Sequence, residues 1–108
     1  MTEELNTASL QDIQLELIRR ASFNHLNGPK VVADLEKHRD LWRSALIDRP
    51  SGVAIKLRDL PENAWNVDTL FILSSGKDDK KLELRAKSWR PDEVNWIEDQ
   101  RILRVWWD

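Results

Sequence analysis

The stretch Lys80-Lys81-Leu82-Glu83-Leu84-Arg85-Ala86-Lys87-Ser88-Trp89 decides how this chain folds. Leu82, Leu84 and Ala86 alternate with charged residues, which is the period of a half-buried strand. Leu82, Ala86 and Trp89 also fall at i, i+4 and i+7, on one face of a helix. Lys, Leu, Glu, Arg and Ala are good helix formers, and no residue of the stretch is β-branched, so helix is the favoured reading. A strand here would instead turn the second half of the chain into an antiparallel β-meander.

The flanks favour the helix. Thr69-Leu70-Phe71-Ile72-Leu73 is apolar on both alternating faces, as in a strand buried from two sides, and such a strand calls for a helical layer. Upstream, Val53, Ile55 and Leu57 alternate with Ala54, Lys56 and Arg58, which suits a short edge strand. A loop from Asp59 to Asn66, punctuated by Pro61, follows it. Downstream, Glu93–Ile97 and Ile102–Trp107 read as strands joined by Glu98-Asp99-Gln100-Arg101. A competing reading makes Pro91-Asp92-Glu93 the first turn of a short helix.

The first half reads as a helical hairpin. Residues Met1 to Ala8 are expected to fray. Ser9 with Asp12 three residues later marks a helix start, and Ile13, Leu17 and Ala21 recur at helical spacing. This helix is expected to reach about Leu26, where Asn27-Gly28 supplies a stop. Pro29 then suits the first turn of a second, antiparallel helix. Val31, Leu35, His38, Trp42 and Ala45 form its apolar stripe, with Val32, Leu41 and Leu46 flanking, and Arg49-Pro50-Ser51-Gly52 ends it. Leu17, Leu35 and Trp42 are expected in the shared core. The expected fold is one α+β domain over residues 1–108: an N-terminal antiparallel helical hairpin, then a small mixed β-sheet with one further helix, in the order α-α-β-β-α-β-β.

Composition excludes several functions. The 108 residues contain no cysteine, which removes disulfides, thiolate nucleophiles and Cys-based zinc sites. Apolar runs such as Leu70–Leu73 are far too short to cross a bilayer of about 30 Å. The acidic start, Met1-Thr2-Glu3-Glu4, is unlike a secretory signal, and with the missing cysteine it points to a cytoplasmic protein. Net charge is −2, without the basic excess that neutralises phosphates, so nucleic acid is a poor partner. Arg19, Arg20, Lys30, Lys37, Arg39 and Arg43 do concentrate positive charge locally, as solvated helix faces often do.

Catalytic constellations are sparse. His38-Arg39-Asp40-Leu41 spells the start of the protein-kinase catalytic loop, but the loop's asparagine falls on Ala45 and no Gly-rich loop precedes it. Asp34 and His38, four apart on a helix, place a carboxylate beside an imidazole, with His25 as a third candidate. His38 lies on the apolar stripe, where a histidine is most often a hydrogen-bonded core residue, so a structural role is expected. No metal site or cofactor is expected, because three good ligands do not assemble. Ser74-Ser75-Gly76-Lys77 sits where phosphate loops sit, yet it lacks their glycine spacing and reads better as a capped turn.

Tryptophan is the unusual feature: Trp42, Trp65, Trp89, Trp96, Trp106 and Trp107, with no tyrosine. Core packing should account for four or five of them. Neighbouring strand residues point to opposite faces, so Trp106 and Trp107 must separate. Pairing Ile97 with Ile102 sets Trp96 opposite Leu103 and Val94 opposite Val105. The apolar face then carries Trp107 inward, and Trp106 stands on the outer face near Arg104. The expected function is a non-enzymatic interaction module that meets another protein, or itself, through an aromatic surface marked by Trp106 and Arg104. The alternative is a small enzyme or ligand-binding domain using the Asp34/His38 region.

Overall fold

The computed structural model describes residues 9–23, 26–48, 68–97, 99 and 101–107. A capping box opens helix α1 (Leu10–Arg19): the Ser9 hydroxyl accepts from the Asp12 amide, and the Asp12 carboxylate accepts from the Ser9 amide. Two short strands, β1 (Ser22–Phe23) and β2 (Leu26–Asn27), pair antiparallel and turn the chain into α2 (Gly28–Lys37). Asn27 therefore begins the second helix rather than ending the first, because its side chain accepts from the Lys30 amide. Pro29 takes its expected place in the first turn.

Helix α2 stops at Lys37, well short of the expected length. His38 caps it, Arg39–Leu41 forms a 3-10 turn, and strand β3 (Trp42–Asp48) follows. The helical stripe read through Trp42 and Ala45 is corrected here. These residues alternate inward along a strand instead, with Trp42, Ala45 and Ile47 all buried. Pairing with β4 (Thr69–Ser74) along the strand decides the matter. The segment expected as an edge strand, residues 53–57, lies outside the described residues, as do the loop after it, His25 and Trp65.

Helix α3 (Asp79–Lys87) bears out the favoured reading of the ambiguous stretch, with Leu82 and Ala86 buried. Strands β5 (Glu93–Ile97) and β6 (Ile102–Trp106) form the expected hairpin in the expected register, Ile97 opposite Ile102 and Val94 opposite Val105. The strand order is β3-β4-β6-β5 and every pairing is antiparallel, where a mixed sheet was expected. The difference follows from β3: it neighbours β4 in the sheet and runs against it. The overall order α-α-β-β-α-β-β holds.

The core lies on one face of this sheet. Ile72, Leu70, Leu103 and Val105 project from the strands against Val31, Val32 and Leu35 of α2 and Leu82 and Ala86 of α3. Helix α1 contributes Leu15 and Ile18, whereas Ile13 and Leu17 are exposed, so its expected core stripe was turned to the wrong side. Gln11 and Gln14 explain the rotation. Gln11 donates to the Trp42 carbonyl at 2.9 Å and Gln14 accepts from the Ala45 amide at 2.9 Å. Helix α1 thus lies along the open edge of β3 and meets its backbone groups with side-chain amides, which blunts an edge that would otherwise pair with another strand.

Candidate functional site

Five tryptophans are described, and their indole N–H groups sort them. Trp42 donates to the Leu35 carbonyl at 2.9 Å, and Trp107 to the Trp89 carbonyl at 3.1 Å. Trp89 donates to Asp34 Oδ2 at 2.7 Å, and Trp96 to Glu83 Oε1 at 2.8 Å. Each of these bonds ties one element to another, and Trp42, Trp89 and Trp107 are buried. Trp106 differs: among the described residues its indole N–H has no acceptor. It is half-buried on the outer face, while Trp107 is fully buried, the arrangement that strand alternation predicts.

The outer face can be built row by row from the register. Ser44, Leu73, Ile102 and Ile97 form one row across the four strands, and Leu46, Phe71, Arg104 and Asn95 form the next. Thr69, Trp106 and Glu93 follow toward the far end, where Thr69 is itself buried. Leu46 is 57% exposed, and Phe71, Leu73, Ile97 and Ile102 are each partly accessible. Arg104 lies over the Trp106 ring, 5.9 Å from its centroid, and is held there by Glu93 at 3.2 Å and Asn95 at 3.1 Å. At that distance the cation–π contact contributes about 0.5–1 kcal/mol. Helices α2 and α3 pack on the opposite face, so Trp106 does not lie beneath α3.

Helix α1 extends this surface. At 100° per residue, Leu10, Ile13 and Leu17 fall within an arc of about 60°, to one side of the half-buried glutamines and of buried Ile18. Asp12 lies on the other side and pairs with Arg39 at 2.6 Å, which ties that flank to the 3-10 turn beneath α2. The leucine–isoleucine flank consequently turns away from α2, toward the outer-face side of the β3 edge. Leu10, Ile13, Leu17 and Leu46 are all exposed. Sequence reading missed this part of the surface. Its one signal was the pair Gln11 and Gln14, whose half-buried place displaces the apolar stripe.

The second candidate region is built differently. Asp34 Oδ2 accepts from Trp89, and Arg85 Nε lies 3.2 Å from the same oxygen without the alignment of a hydrogen bond. His38 Nδ1 is 3.0 Å from the Asp34 carbonyl and 3.2 Å from Asp34 Oδ1. Both neighbours are acceptors, so Nδ1 is the ring nitrogen that donates here. Sequence reading brought Asp34 and His38 together correctly, and the structure adds Arg85 and Trp89. A cleft of about 260 Å³ beside them is lined by Lys30, Ala33, Asp34, Lys37, Arg85 and Ser88. His38 is not among its walls. Among the described residues no three His, Asp or Glu side chains gather as metal ligands, and no helix is long and apolar enough to cross a membrane.

The Ser74–Lys77 turn is closed on itself. Ser74 Oγ accepts from the Gly76 amide at 2.9 Å and Ser75 Oγ from the Lys77 amide at 3.3 Å. Gly76 has φ +82°, which a residue without a β-carbon adopts freely. The Asp78 carboxylate caps α3 through the Lys81 amide. The Gly76, Lys77 and Lys81 amides are thereby occupied. No protein-family model, curated protein or solved structure matches the chain.

Proposed function

We propose that this chain is a non-enzymatic protein-interaction module whose contact surface is the outer face of the sheet, marked by Trp106 and Arg104 and continued by α1. The observation that carries this reading is the half-buried Trp106 indole, whose N–H has no acceptor among the described residues. Tryptophan combines a large apolar ring with one donor that seeks an acceptor, which is why it is enriched at interfaces. Four described indoles meet that demand within the chain, and the fifth does not among the described residues. Leu46, Phe71, Leu73 and Ile102 continue the same face away from it, no described helix covers that face, and accessible apolar surface of this kind marks contact sites. The cysteine-free composition suits work in the cytoplasm.

The Asp34/His38 region supports the alternative less well. Its carboxylate is already engaged by Trp89, His38 and Arg85, and its imidazole does not open to the cleft. A general base must reach the proton it takes, and the Asp34 carboxylate is engaged on both oxygens.

The test compares wild-type protein with Trp106→Ala and with Leu84→Ala, a control on α3 that removes an exposed apolar side chain (65%) elsewhere. Quantitative affinity capture and light scattering are read together. Partners or self-association kept by Leu84→Ala but lost by Trp106→Ala, with the melting temperature changed by less than about 4 °C, support the reading. Identical profiles for all three proteins overturn it.

A further inference from the structure

Resting on the docking face just proposed, we infer that its occupant is an acidic, apolar segment of another protein rather than a second copy of this chain. Two observations lead there: the charge at one end of the face, and its size.

Five described arginines have acidic partners: Arg19 and Arg20 with Glu16, Arg39 with Asp12, Arg85 with Asp34, and Arg104 with Glu93. Arg43, Arg90 and Arg101 have none among the described residues. Two of those three, Arg43 and Arg101, line one cleft of about 220 Å³. Arg43 reaches it from the bulge in β3, where the register with β4 shifts, and Arg101 from the turn before β6. The cleft also contains Leu73, which belongs to the outer face, so these two cations stand where the apolar surface ends. Asp79, the one acid in the wall, accepts a hydrogen bond from the Ser74 hydroxyl. Two planar guanidinium forks beside an apolar face match a carboxylate next to leucine-like side chains, since each fork can hold both carboxylate oxygens.

A second copy answers this charge poorly. An isologous contact sets the face against itself. The one carboxylate among the described side chains of the face, Glu93, is held by Arg104. The area argues the same way. Four strands at about 4.8 Å spacing and five residues at about 3.4 Å each give a face about 19 Å by 17 Å, roughly 320 Å². Adding the α1 flank brings it to about 400 Å². A stable globular interface takes about 800 Å² from each partner. A single helix or extended segment with Asp or Glu beside Leu, Phe or Trp fits the smaller surface.

Selection from a random-peptide display library tests this, run against the wild-type chain and against the Arg43→Glu/Arg101→Glu double variant, whose folding is verified by circular dichroism. Both arginines are exposed and have no acidic partner among the described residues, so the variant should fold. Wild-type protein should enrich peptides in which Asp or Glu adjoins Leu, Phe or Trp. Charge reversal should weaken a selected peptide at least about tenfold at low salt, less at high salt, and should itself select Lys or Arg. Peptides that need Trp106 but ignore the charge reversal would sink the acidic occupant and leave the docking face standing. Enrichment of no peptide, or of peptides indifferent to Trp106, overturns both.

Discussion

Trp42 shows how a single side chain joins two elements. Its ring is buried and its N–H reaches back seven residues to the Leu35 carbonyl in the last full turn of α2. Trp42→Ala should cost about 3–5 kcal/mol in denaturant unfolding, chiefly from lost packing. A loss below about 1 kcal/mol would show that the ring is dispensable to the core. Gly28 matters for a different reason. A β-carbon there would stand closer than 3.0 Å to the carbonyl oxygens of Ile18, Arg19 and Ala21, so the end of α1 and the start of α2 approach through its bare backbone. Gly28→Ala should therefore lower stability despite alanine's better helix propensity, and a rise in melting temperature would contradict the contact. At this scale the sequence was legible where one period governs: strand alternation alone separated Trp106 from Trp107. It failed at Ile13 and Leu17, because a helix whose buried side includes glutamine hides its orientation from hydrophobic counting.

At the scale of elements, β3 is the instructive case. Val31, Leu35, His38, Trp42 and Ala45 do share a helical stripe, and Trp42, Ala45 and Ile47 are the buried set of a strand. Local pattern permits both, and seven residues laid against β4 decide. Tertiary pairing overrode the local period, as it often does when a short apolar run fits two templates. Helix α3 went the other way: its composition spoke for helix, and the structure agrees. Its attachment to the sheet is partly electrostatic. The Trp96 indole, and after it the Lys87 ammonium, hold the Glu83 carboxyl below its ordinary value of 4.5. A carboxyl lowered by folding stabilises the native state above its unfolded value, and that stabilisation is lost as pH falls through the lower, folded value. Asp12, lowered by Arg39, and Asp40, lowered by Lys77, act with the same sign. Stability should thus decline below about pH 4.5, and Glu83→Gln should decline less steeply over that range. Parallel acid-unfolding curves for the two proteins would contradict the assignment.

The whole molecule has a protected side and an accessible one. Helices α2 and α3 bury one face of the sheet, α1 closes the β3 edge with two glutamines, and the other face carries Trp106, whose N–H has no acceptor among the described residues. Antiparallel sheets commonly place one face on the core and leave the other to water. Here that second face carries leucine, isoleucine, phenylalanine and tryptophan where polar residues would be the rule. Sequence reading reached one part of this surface, Trp106 beside Arg104, through the register of one hairpin. Leu46, Leu10 and the arginines at the Leu73 end stayed hidden, because they join the surface only once β3 and α1 are placed. Proton–nitrogen chemical-shift mapping with a peptide selected by the protein tests the central claim most directly. The account predicts that the Trp106 indole resonance moves most, with the amides of Leu46, Phe71, Leu73 and Ile102, while Lys30, Asp34 and Lys37 stay fixed. Shifts gathered around Asp34 and Lys37 with the Trp106 indole stationary would contradict it.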